Sequence, residues 1–175
     1  MKIALIVLGI IVALVLLVVA IGYTLPQKHH AARQVTLKAP PAAVFDAITT
    51  PADFPLWRAK VTKVEMLTSP NGRLRYRELG GDGPILYEVD ESTRPSRLVT
   101  RIADTSLPFG GTWTFDLSPA ASGTTVRITE DGEVYNPIFR FVSRFVMGHH
   151  ATIDVYLGDL GRRFGTTGEA TPAST

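Results

Sequence analysis

The sequence predicts an α+β fold: a curved antiparallel sheet of seven strands around one long C-terminal helix, preceded by a single transmembrane helix. Three observations carry this. Residues 3–22, IALIVLGIIVALVLLVVAIG, hold no charge and no strongly polar side chain. Strand-like runs then follow one another between residues 61 and 134 with only turn-like separators. After Asn136-Pro137 the apolar residues return at helical spacing as far as about Phe164.

The first run is long enough to span a bilayer, because at about 1.5 Å per residue it covers roughly the 30 Å hydrocarbon thickness. A cleaved signal peptide is the competing reading: Lys2 supplies a positive start, and Ala20-Ile21-Gly22 offers small residues for cleavage. Signal-peptide cores run only about 7–15 residues, which favours a retained anchor. The anchor unit is residues 1–24, with membrane contact through residues 3–23. The side on which the following domain lies stays open. Lys28, Arg33 and Lys38 after the span favour the cytoplasm, while a very short head favours export. Pro26 ends the helix, and residues 25–32 read as a linker.

The remaining chain is one domain, residues 33–164, with a small, polar and disordered tail at 165–175. The whole chain of 175 residues carries 18 Lys+Arg against 16 Asp+Glu, so nucleic acid is not expected as a partner. It has no cysteine. This excludes a disulfide framework, a thiolate nucleophile and metal sites built on sulfur.

Within the domain, Gln34–Lys38 alternates as a short strand. Pro40-Pro41 opens a helix whose Val44, Phe45 and Ile48 share one face. Pro51 and Pro55 bracket a brief helical turn or ordered loop ending at Trp57. The strand candidates are Val61–Leu67, Leu74–Leu79, Ile85–Ser92, Leu98–Ala103, Thr112–Leu117 and Thr124–Val134. Their separators, Ser69-Pro70-Asn71-Gly72, Gly80-Gly81-Asp82-Gly83-Pro84, Thr93-Arg94-Pro95-Ser96, Pro108-Phe109-Gly110-Gly111 and Pro119-Ala120-Ala121-Ser122-Gly123, are too short for parallel crossovers, so the sheet is an antiparallel meander. The last helix starts at the N-cap Asn136 with Pro137 at its first position, and Gly148 and Gly158 interrupt it without polarity. Such a sheet curls and grips the helix along its apolar stripe.

Two stretches are familiar. Residues 35–49, VTLKAPPAAVFDAIT, with Asp53, Phe54 and Trp57, and the late strands GTWTFDL (111–117) and TTVRITEDG (124–132) resemble the START-like, SRPBCC-type superfamily of polyketide cyclases and dehydratases. The resemblance spans about Arg33 to Phe164. It implies the helix-grip fold shared by birch-pollen allergens, lipid-transfer domains, polyketide cyclases and coenzyme-Q-binding proteins. Carriers, enzymes and interaction modules all use that fold, so it implies an architecture more than an activity.

In a helix-grip domain a cavity would lie between sheet and helix, and strand parity tells which residues face it. Val126 and Ile128 bring Glu130 inward. Leu74 and Tyr76 bring Glu78 inward, and Trp113, Phe115 and Leu117 form an apolar wall. On the last helix, Phe145, His149, Ile153 and Tyr156 follow one another at spacings of four, four and three. The expected ligand-binding residues are therefore Tyr76, Glu78, Trp113, Phe115, Glu130, Phe141, Phe145 and His149. Glu130 and His149 are also the candidates for general acid–base work, although each has a plain structural alternative, a solvated strand end and a core-edge imidazole.

Two histidine doublets, His29-His30 and His149-His150, raise the question of metal. Adjacent helical residues point about 100° apart and no carboxylate completes a set, so neither metal nor cofactor is expected. Arg73, Arg75 and Arg77 alternate into a basic ridge on the outer face, with solvent as its default neighbour and anionic headgroups as the second reading. The expected activity is membrane-tethered binding of a hydrophobic small molecule: a lipid, isoprenoid or polyketide-like compound. A cyclase or dehydratase and a membrane-associated interaction module with an unknown protein partner are the alternatives.

Overall fold

The computed structural model describes residues 2–69, 72–81, 83–148, 150–166 and 170–173. The apolar N-terminal run forms one helix, α1 (Lys2–Thr24), long and apolar enough to cross a membrane, and its most apolar stretch is not buried by the rest of the chain. Only its last turns, from Val18 to Gly22, are partly covered.

Next come β1 (Lys28–Leu37), α2 (Pro41–Thr49) and a 3₁₀ turn at Pro51–Leu56. The meander consists of β2 (Val61–Leu67), β3 (Arg75–Gly80), β4 (Ile85–Thr93), β5 (Arg97–Ile102), β6 (Phe109–Ala120) and β7 (Gly123–Val134). A helical segment follows in two pieces, α3 (Pro137–Val142) with a π turn at Ser143–Met147, then α4 (Ala151–Arg163); β8 (Thr171–Pro172) closes the chain. All strands pair antiparallel in one sheet of order β2-β3-β4-β5-β6-β7-β1-β8. The core lies between its inner face and α2 and α4, where Leu37, Val44, Phe115, Val126, Ile128, Ile153, Leu157 and Leu160 are buried together.

The α+β, helix-grip expectation is met, with four differences of detail. First, β1 begins at Lys28, inside the expected 25–32 linker, because residues 28–33 pair with residues 128–133. Its inner face reads His29, Ala31, Arg33, Val35, Leu37, and the polar members hid the alternation. Second, the sheet has eight strands rather than seven. β8 lies inside the expected tail, pairs with Arg33 and Gln34, and covers the otherwise open edge of β1; the tail residues 167–169, 174 and 175 lie outside the described residues.

Third, β6 starts three residues before the expected Thr112, since Phe109, Gly110 and Gly111 pair with Val134, Glu133 and Gly132. Gly111 takes φ 137°, and a Cβ there would meet the Asp131 carbonyl oxygen at 2.5 Å. Glycine is what allows this approach. Fourth, the last helix is not continuous. Gly148 takes φ 74° and ψ 154°, which no helical residue adopts, and the chain turns there before α4. Of the expected turns, Pro70, Asn71 and Asp82 lie outside the described residues.

Candidate functional site

Period two carries the expected residues of β3, β6 and β7 onto the inner face. Tyr76 and Glu78 are buried, Phe115 and Leu117 are buried, and Glu130 follows the buried Val126 and Ile128. Register places Trp113 opposite Thr100 on one side and Glu130 on the other, with Ala31 beyond Glu130. Tyr156 of α4 sits in the middle, its ring centroid 5.4–5.7 Å from those of Phe115, Trp57 and Trp113.

One buried ion pair lies in this aromatic setting. Arg58, just after the 3₁₀ turn, donates a short hydrogen bond to Glu78, and neither side chain is more than 16% exposed. The guanidinium lies 4.8 Å from the Tyr156 ring centre and 5.2 Å from that of Phe54, both within cation–π range. Burial opposes the Arg58 charge most strongly, but Glu78 together with Tyr156, Tyr87 and Tyr76 outweighs it, leaving its pKa above the ordinary guanidinium value. Burial raises the Tyr76 phenol well above its usual range, with Glu78 adding to it, and burial likewise raises Tyr156. Tyr76 stacks on Tyr87 at 5.4 Å. The Trp57 indole nitrogen is buried without a hydrogen-bond partner.

The second polar group is at the strand end. His29 Nε2 stands 3.5 Å from Glu130 Oε1, with both side chains less than one fifth exposed. The His29 ring also fills the space beside Gly132, where a Cβ would come within 2.2 Å of it. On the helix side, Asp154 receives both Arg33 hydrogen bonds, at 2.7 and 3.2 Å, and buried Asp159 accepts the Ala59 amide at 3.0 Å and a short bond from Arg162.

The remaining expected residues lie elsewhere. Phe141 and Phe145 belong to α3 and the π turn, on the α1 side of the Gly148 break, with their rings 4.9 Å apart and Phe145 exposed. His149 lies outside the described residues. Arg58, Tyr87, Tyr156 and His29 were not among the expected residues. Tyr156 and Tyr87 had a visible signal, the one on the apolar stripe of the last helix and the other in the strand expected at Ile85–Ser92, each with a hydroxyl that could meet a ligand and a structural role as the commoner case.

Because the helical cover starts only at Ala151, the end of the concave face from which β7 runs into α3 is incompletely closed. Tyr87, Ile102, Trp113 and Glu130 face inward there and are only half buried. Two open clefts are described. One of about 480 Å³ is bordered by Lys28, His29, Arg101, Ile102, Gly111 and Gly132, and one of about 330 Å³ by Thr49, Arg73, Leu74, Val89, Asp90 and Leu98. Neither has a wall from α4. The centre of the grip is filled by Tyr156 and its ring partners.

Among the described residues no three His, Asp or Glu side chains stand close enough to share a cation. The arginine ridge is on the outer face and meets carboxylates: Arg73 reaches Asp90 at 2.6 Å, Arg77 reaches Glu65 at 3.4 Å, and buried Glu88 lies 3.9 Å from Arg75 and 2.9 Å from Arg101.

A family model described as polyketide cyclase / dehydrase and lipid transport matches residues 28–155, well over half of the chain. No curated protein matches by sequence. Among solved structures, a START superfamily protein from Mycobacterium smegmatis is similar at TM-score 0.62 and 15% identity, covering 78% of this chain and 97% of that one. A protein from Thermus thermophilus is similar at TM-score 0.64 and 19% identity, with 78% and 97% covered. The di-domain ARO/CYC protein StfQ of the steffimycin biosynthetic pathway is similar at TM-score 0.60 and 11% identity, covering 79% of this chain and 50% of that one. At these identities the likeness is one of fold, and the fold is START-like.

Proposed function

The chain belongs to the polyketide cyclase / dehydrase and lipid transport family, and from that premise we propose that it binds a hydrophobic small molecule on the concave face of its sheet while α1 tethers it to a membrane. The ligand is of lipid, isoprenoid or polyketide-like class, with one polar group. The observation that carries this reading is the Arg58–Glu78 pair held among Phe54, Tyr76, Tyr87 and Tyr156. A buried ion pair stabilises a fold little better than apolar residues of the same volume would, so its presence in an aromatic wall fits recognition of a polar group. The unpartnered Trp57 indole, edge-on to Phe54 and Tyr156, is a further donor in the same aromatic setting.

Binding requires the Tyr156 and Trp113 rings to part, and access is from the end that α4 leaves uncovered. A tether beside a membrane raises the effective concentration of an insoluble ligand at that opening. The test is to purify the full chain in detergent, extract it with organic solvent and search the extract by mass spectrometry. One lipophilic compound class at near-stoichiometric amount is expected, and a folded, empty chain would contradict the reading.

A second reading rests on a different observation, the 3.5 Å approach of His29 to Glu130 beside Trp113. An imidazole and a carboxylate at the mouth of an apolar site can move protons during an aldol cyclisation or dehydration. On this reading Glu130→Gln abolishes turnover of a poly-β-keto substrate and leaves thermal stability unchanged; equal loss of stability would identify a structural role.

A further inference from the structure

Between Tyr135 and Val146 the chain exposes a run of large apolar side chains that the ligand site does not use. Ile138 is 42% exposed, Phe139 50%, Phe145 60% and Val146 73%. Elsewhere in the domain the large apolar residues described as exposed are Leu56, Met66, Leu74 and Val155, scattered singly as on any soluble surface. By helical spacing 138, 139, 142, 145 and 146 fall on one side, opposite Arg140 and Arg144.

This amphipathic segment is fixed to the end of α1. α3 packs directly on α1, and Gly22 is buried where a Cβ would lie 2.0 Å from the Pro137 carbonyl oxygen. The buried Arg140 closes the joint. Its Nε donates to the Val134 carbonyl at 2.8 Å, Nη2 to Tyr135 at 2.9 Å, and Nη1 to the Gly22 and Leu25 carbonyls, both at 3.4 Å. The last two are carbonyls at and just beyond the C-terminal end of α1, where a cation is favoured.

The level of this contact follows from length. Residues 3–22 match the hydrocarbon thickness, and cover on α1 begins at Val18, so α3 lies beside about the last 6 Å of the span. Tyr23 and Tyr135, both exposed, adjoin this joint, since Arg140 bonds the carbonyls of Gly22 and Tyr135, and aromatic side chains collect at membrane interfaces.

We propose that α3 and the following π turn form a foot embedded in the surface of the bilayer that α1 crosses, so that the domain is held to the membrane at two joined elements. This rests on the reading of α1 as a retained anchor. The partner is the lipid surface itself, met by the apolar side of the foot, with exposed Arg144 on its polar side placed for headgroups.

The chain has no cysteine, so single cysteines give clean labels. The full chain would be reconstituted in vesicles of phosphatidylcholine and phosphatidylglycerol, with an environment-sensitive fluorophore at Val146→Cys, Phe139→Cys, Val12→Cys or Val155→Cys. Lipids carrying a nitroxide near the headgroup should quench the labels at 146 and 139, lipids with a deep nitroxide the label at 12, and neither the label at 155. Quenching at 12 with positions 146 and 139 behaving like 155 would overturn the foot and leave the anchor standing. Absence of quenching at 12 would overturn the anchor, and the foot with it.

Discussion

Arg58 decides how the inner face is read, because it brings a charge into a wall of rings. It was not legible in the sequence: it follows a proline-bounded turn without periodicity, and only the tertiary fold sets it against Glu78. Glu78, Glu130, Trp113 and Phe115 were legible, since period two along a strand assigns a side chain to a face regardless of its polarity. If the pair is enclosed as described, Arg58→Met leaves a carboxylate buried and costs about 3 kcal/mol. The double variant Arg58→Met, Glu78→Leu should return to within about 1 kcal/mol of the parent; chemical denaturation in detergent measures both.

The buried phenols give a pH prediction with a definite sign. Tyr76 and Tyr156 have folded pKa values above the ordinary 10.0. Their stabilising contribution is therefore complete below about pH 10 and is lost as pH rises above it, because the unfolded state ionises first. Tyrosinate absorbance followed against circular dichroism should show these two phenols ionising only as the fold is lost. Ionisation of every tyrosine before any loss of structure would contradict their burial.

Among the elements, the strands were easier to read than the last helix. Val61–Leu67 runs as expected, and β3, β4, β5 and β7 shift by one residue at one or both ends, because turn residues bound them, while β6 extends three residues further at both ends. The break at Gly148 was hidden because Phe145, His149 and Ile153 keep helical spacing across it; what interrupts the helix is a positive φ, which no pattern of polarity reports. That break frees α3 to pack on α1 and leaves one end of the sheet uncovered. Gly22 makes the packing possible. Gly22→Val places a branched side chain against the Pro137 backbone and should detach α3 from α1, seen as faster amide exchange over residues 135–146 with β6 and β7 unchanged. Unaltered exchange there would mean that the two helices do not depend on each other.

For the whole molecule, the helix-grip architecture was visible from the order of periods and from the resemblance at 35–49 and 111–132. Filling at the centre of the grip was not, because inward apolar residues serve a packed core and a cavity equally well. On the proposed function both descriptions hold in turn: the rings of Tyr156, Trp113 and Phe115 close the face when empty and separate around a ligand that arrives from the membrane end.

The most direct test is photolabelling of the full chain in lipid nanodiscs with a diazirine-bearing fatty acid, followed by peptide mapping. Labels at Tyr76, Trp113 or Tyr156 that an excess of unlabelled fatty acid removes are the predicted result. Labels confined to α1 and α3, indifferent to competitor, would mean that the concave face holds no ligand and would contradict the proposed function.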